Sequence, residues 1–147
     1  MLKIRQYHLS HSPIHRIHSV KQIHYARPDG LWFTPHIDAW RDITTSMKGI
    51  EPAYLYEVVL RKDANIVVVE TIDDIKWFTK EFYCRENKGI DWKEVARRWD
   101  GFYAANYMED RLLEIAALDD TFWWYAYLTF ESGIVWNHKA IKSLKKV

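Results

Sequence analysis

Cysteine is nearly missing from this sequence. Cys84 is the only one among 147 residues, so no internal disulfide can form and the fold does not depend on an oxidising compartment. An excess of either charge is missing too: 21 Lys and Arg against 20 Asp and Glu leave a net +1, and composition alone makes no case for a nucleic-acid partner. No long apolar run is present. The most aromatic stretch, Phe122 to Phe130, is far too short to span a bilayer as a helix. Met1 to Gln6 scatters charge where a secretion signal would carry an apolar segment. A cytoplasmic protein with no membrane partner is therefore expected. No repeat, low-complexity tract or linker divides the chain, so residues 1–147 are expected to form one domain.

What is present fits a globular protein. Hydrophobic residues make up 48% and charged residues 28%, a balance that separates the chain from disordered sequences. A chain of this length buries roughly two thirds of its unfolded surface, enough for a core without staples. Eight tryptophans and nine tyrosines supply that core, and they also suit a site that stacks flat rings such as nicotinamide or adenine. The C-terminal group Lys139, Lys142, Lys145 and Lys146 reads as a solvated basic end.

Along the chain, Lys3 to Leu9 alternates apolar and polar side chains and predicts a first strand. Ser10 to Pro13 is turn chemistry, and Ile14 to Ile23 has room for one short helix. Arg27 to Gly30 is a turn, Leu31 to Thr34 a short strand closed by Pro35, and Asp38 to Met47 a helix. Ala53 to Leu60 predicts a strand, and Asn65 to Glu70 another, rich in β-branched residues. Thr71 is an N-cap, with Asp73 and Asp74 in the first turn of a helix running to about Arg85. Asp91 to Arg98 is a second helix and Phe102 to Ala105 another strand. The tail predicts an aromatic strand, a break at Gly133, a strand at Ile134 to Trp136 and a C-terminal helix. Strands outnumber helices without regular alternation. The expected class is α+β, with a split, mixed or mostly antiparallel sheet and flanking helices.

Four segments, taken in order, resemble the core of the ADP-ribosyltransferase fold shared by diphtheria-type toxins and poly(ADP-ribose) polymerases. Tyr7-His8-Leu9-Ser10 is similar to the family's strand end, where the histidine holds the nicotinamide ribose of NAD and the next residue clamps the carboxamide through its backbone. Leu9 stands where the family has glycine. Gly30-Leu31-Trp32-Phe33-Thr34 resembles the family's second strand, and Ala39-Trp40 the helix behind it, with Trp40 matching the ring that stacks on nicotinamide. Leu55 to Leu60 is similar to a structural core strand of the polymerase branch. Trp99-Asp100-Gly101-Phe102-Tyr103 looks like the strand that carries the catalytic acid, with Asp100 where the polymerases have glutamate. Glu131, in Phe130-Glu131-Ser132-Gly133, is the rival acid.

The resemblance implies NAD as substrate, with transfer of ADP-ribose to a macromolecular acceptor, protein or nucleic acid, and release of nicotinamide. It places His8, Leu9, Ser10, Phe33, Thr34 and Trp40 at the NAD site, and gives the chemistry to Asp100 or Glu131, with His8 positioning. A lone domain of this kind is similar to bacterial or phage toxins and defence effectors, which implies an antitoxin partner. Cleaving the nicotinamide–ribose bond builds positive charge on the sugar, as in glycoside hydrolysis, and a fixed carboxylate lowers that barrier electrostatically.

Other classes fit less well. His8, His11, His15 and His18 have the spacing of one helix face, but Pro13 interrupts it and no acid or cysteine joins them, so no metal site is expected. Asp73-Asp74 and Asp119-Asp120 read as a helix start and a loop rather than paired nuclease acids. Asp100-Gly101 also reads as an ordinary turn. No nucleophile elbow is present, and Cys84 has no marked partner. A non-catalytic binding module that keeps the fold, or an NAD glycohydrolase, remains the alternative.

Overall fold

The computed structural model describes residues 5–10, 12–38, 54–107, 114, 119–128 and 130–147. Among the described residues, nine strands fall into three sheets. One is three-stranded and antiparallel, in the order β1 (Gln6–Ser10), β3 (Tyr54–Leu60), β9 (Ile141–Lys146). The second is four-stranded and mixed, in the order β2 (Leu31–Phe33), β8 (Ser132–Val135), β7 (Gly101–Ala104), β4 (Ile66–Val69). Its one parallel pair is β4 with β7, joined by a long crossover that carries two helices, as parallel pairing requires. A two-residue hairpin, β5 (Tyr83–Cys84) with β6 (Gly89–Ile90), lies between those helices. The class is α+β.

The helix Ile72–Phe82 forms where the sequence places its cap. Thr71 accepts from the Asp74 backbone N–H, and the Asp74 carboxylate accepts in return from the Thr71 N–H at 3.0 Å, which satisfies two otherwise orphaned donors. These bonds hold the Asp74 carboxyl below its ordinary range, with that from the Thr71 backbone the largest cause. The second helix, Trp92–Arg98, starts on the Asp91 side chain.

The four-stranded sheet is the middle layer, and alternation along its strands divides the core. Phe102 and Ala104, Val67 and Val69, Ile134 and the following Trp136 face the helices. Tyr103, Val135 and Phe33 face the three-stranded sheet, where they meet Val58 and Ile141. The helix side centres on Phe78, whose ring lies 4.9–5.6 Å from those of Phe82, Trp124, Phe102 and Trp92. Such pairs add about 0.5–1.5 kcal/mol each beyond burial.

Several expected elements differ. Asp120–Leu128 is a 3-10 helix and not a strand. Trp124, Tyr125 and Leu128 are buried in it, whereas Trp123 and Tyr127 are about half exposed. Trp124 locks it in place by donating from Nε1 to the buried Thr79 hydroxyl at 2.7 Å. The C-terminal segment is strand β9 rather than a helix. It pairs with β3 at the sheet edge, and its lysines guard that edge against further pairing. Ile14 to Ile23 forms no helix, because its backbone is tied to distant partners: Ile14 N–H to the Tyr56 hydroxyl and Val20 N–H to the Trp136 carbonyl. The helix expected over Asp38 to Met47 lies, after its first residue, outside the described residues.

Gly133 is no break. It sits inside β8 between two rings: a Cβ there would lie 2.4 Å from Phe33 and 2.6 Å from Tyr103, which are themselves stacked at 6.0 Å. Gly133→Ala is therefore expected to cost about 1–3 kcal/mol through overpacking, read as a lowered urea midpoint.

Candidate active site

Among the described residues, β1 and β2, edge strands of the two larger sheets, are joined by one β-bridge and then part. Tyr7 donates its N–H to the Thr34 carbonyl at 2.8 Å and accepts from the Thr34 N–H at 3.0 Å. Strand groups alternate sides, so Leu9 shares the parity of Tyr7 and its N–H and C=O face the β2 side, while His8 and Ser10 turn theirs toward β3. His8 sits at the point of parting. Its Nδ1 lies 2.5 Å from the Trp32 carbonyl oxygen. A carbonyl only accepts, so Nδ1 carries the proton and Nε2 is the acceptor nitrogen.

Burial lowers the His8 pKa from 6.5, with the Trp32 bond opposing more weakly. The folded protein therefore favours the neutral ring. Its contribution to stability is complete above pH 6.5 and is lost as pH falls from there through the lower folded-state value. Urea unfolding of the wild-type chain and a His8→Gln variant at pH 7.5 and pH 5.5 checks this. The wild type is expected to lose more stability across that interval than the variant does.

Glu131 stands immediately before β8, beside the Tyr7–Thr34 bridge. Thr34 Oγ1 donates to its carbonyl at 2.7 Å, which couples the end of β2 to this residue. The Glu131 carboxylate accepts from the Tyr103 hydroxyl at 3.0 Å and from the Asn106 backbone N–H at 2.5 Å. His36 Nε2 approaches to 3.6 Å from the exposed side. Asn106 has φ +51°, a left-handed conformation that asparagine tolerates better than most residues. Its backbone thus aims at Glu131 while its side-chain amide donates to Glu70 at 2.6 Å.

Tyr103 is the firm member of this cluster. Burial pushes its phenol well above the usual tyrosine range, and the bond to Glu131 and that residue's charge push it further. It therefore stays a donor. Gln6, itself buried, also bonds the phenol, and its Oε1 has no partner among the described residues.

Asp100 lies at the other end of the same strand pair. The register sets Gly101 against Val135 and Ala104 against Ser132, so Asp100 and Glu131 are separated by five residue steps, on the order of 17 Å. One Asp100 oxygen accepts from the Asn65 backbone N–H at 3.0 Å and the other from Asn137 Nδ2 at 2.8 Å. Its carbonyl accepts from the N–H groups of Trp136 and Asn137. This carboxylate fastens the turns at the far end of the sheet.

Of the residues singled out on sequence, the structure brings His8, Leu9, Thr34 and Glu131 to the parting of the sheets. Phe33 adjoins them, but its ring is fully buried against Tyr103. The Ser10 hydroxyl donates to the Ser12 carbonyl at 2.7 Å, closing a turn. Trp40 lies outside the described residues. Tyr103, Asn106, Gln6 and His36 were not anticipated. An asparagine just after a predicted strand was the one available signal, since asparagine favours such left-handed positions.

Among the described residues no group of three or more metal-ligating side chains converges, and no helix is long and apolar enough to cross a membrane. No protein-family model, curated protein or solved structure matches the chain.

Proposed function

We propose that this chain is an NAD-dependent ADP-ribosyltransferase, with NAD held where β1 and β2 part and Glu131 as the acid. The observation that supports this reading is the Glu131 carboxylate, fixed by the Tyr103 hydroxyl and the Asn106 N–H beside the Tyr7–Thr34 bridge. A carboxylate held by two donors needs no reorganisation when positive charge develops next to it, which is the condition for electrostatic catalysis. The outward parity of Leu9 fits a backbone clamp on the carboxamide, and a neutral His8 fits a ribose-positioning role without proton transfer.

In the proposed reaction the bond between nicotinamide and C1′ of the ribose breaks, and nicotinamide departs with the electron pair. Glu131 stabilises the charge left on the sugar. The acceptor nucleophile bonds to C1′ from the opposite face, and its proton passes to Glu131 or to water. Trp40, by resemblance, stacks on the leaving ring. The acceptor is a macromolecule, protein or nucleic acid, and a toxin or defence role with a neutralising antitoxin belongs to the same reading.

Incubating the protein with NAD labelled in the adenylate half, in cell extract, tests it. Label on protein or nucleic acid together with free nicotinamide supports transfer and names the acceptor class. Nicotinamide release with label only on free ADP-ribose makes the protein an NAD glycohydrolase. Absence of both labelling and nicotinamide release would contradict the proposal.

A further inference from the structure

At the end of β8 opposite Glu131, three segments converge on an open cavity of about 720 Å³. Lys21 comes from the extended segment after β1, Lys93 from the first turn of the helix Trp92–Arg98, and Lys139 from the 3-10 turn His138–Ala140. Arg97, one turn beyond Lys93, adds a fourth cation, and its guanidinium is shared with Glu94 at 2.7 Å. Among the described residues, Lys21, Lys93 and Lys139 have no carboxylate within ion-pair reach. In a chain of net charge +1, this is a local concentration of positive charge, not a consequence of composition.

The backbone beneath these lysines is fixed. Trp136 forms a buried floor and donates from Nε1 to the Trp99 carbonyl at 2.7 Å. The wall is pinned where Val20 N–H meets the Trp136 carbonyl and where Ser19 Oγ lies 2.6 Å from His138 Nδ1. Amines drawn around one concavity repel one another, and a concave low-dielectric wall focuses their field. Among the described residues no acid pairs with these three lysines, so an external anion would offset their charge. Lysine serves as a point-charge partner for phosphate, and the volume falls in the range of ligand pockets, well above that of one free phosphate.

We propose that this cavity binds the phosphate groups of a nucleotide or of a single nucleic-acid strand through Lys21, Lys93 and Lys139. The site stands independently of the NAD reading, because Glu131 lies at the other end of β8.

The test is fluorescence anisotropy at low salt with a labelled single-stranded oligonucleotide, and calorimetry with adenosine triphosphate. Three proteins are compared: wild type, Lys21→Glu/Lys93→Glu/Lys139→Glu, and a charge-matched control, Lys76→Glu/Lys80→Glu/Lys145→Glu. At least one probe is expected to bind the wild type, weakened at least about tenfold by the cavity substitutions and less than about threefold by the control. Displacement of the oligonucleotide by the triphosphate assigns a nucleotide-sized site, and binding of the oligonucleotide alone assigns a strand. Thermal melts report folding, and the matching Lys→Gln triple replaces the Glu triple if that fails to fold. Absence of binding by both probes, or equal weakening in the cavity variant and the control, would overturn the proposal.

Discussion

Glu131→Gln is expected to lower nicotinamide release from NAD by about two to three orders of magnitude while leaving NAD affinity within about threefold of wild type. Glutamine keeps the length of the side chain and one acceptor oxygen for the Asn106 N–H, while its NH2 can donate to the Tyr103 phenol oxygen in place of the bond that the phenol now donates. What it removes is the negative charge that would face the ribose as the nicotinamide bond breaks. An effect confined to turnover separates that role from a packing role, because a residue that merely held the strands would change stability and affinity together. Tyr103→Phe provides the graded companion. It deletes one of the two donors to the carboxylate at almost constant shape, so a smaller loss in turnover with binding retained is expected. Equal turnover in Glu131→Gln and wild type would remove Glu131 from the chemistry.

Asp100→Ala is expected to show the reverse pattern, a loss of about 2 kcal/mol in unfolding free energy with turnover near that of wild type at a permissive temperature. The Asp100 oxygens accept from the Asn65 backbone and the Asn137 amide, and both donors lose a partner when the carboxylate goes. Asp100→Asn keeps one acceptor oxygen and should recover part of the stability. Urea unfolding curves check this directly. A normal urea midpoint together with abolished nicotinamide release would move the acid function to Asp100 and contradict the assignment to Glu131.

The two acids also show how much was legible in the sequence. Both could be named from local motifs, and both lie next to the β7–β8 pair. Local sequence does not carry the register, and it is the register that sends them to opposite ends of the sheet. The same holds for Tyr103 and Asn106. Each looks like an ordinary strand or loop residue until antiparallel pairing brings it to Glu131. Elements with local signatures were readable: the helix after Thr71 announces itself by its capping box, and the apolar run at Tyr54–Leu60 and the β-branched run at Ile66–Val69 are strands. Misread elements are those in which tertiary partners override local preference. The aromatic run at Asp120–Leu128 has strand-forming residues, yet it coils because its buried side chains dock on the helix Ile72–Phe82. The lysine-rich tail has helix-forming residues, yet it extends because β3 offers an open edge.

The measurement that bears most directly on the central claim is calorimetric titration of NAD into the wild-type chain and into Glu131→Gln, each paired with a nicotinamide assay. Saturable binding in both proteins, with release only in the wild type, is the predicted result. Absence of NAD binding by the folded wild-type chain would contradict it and leave the parting of β1 and β2 as a feature of a binding module.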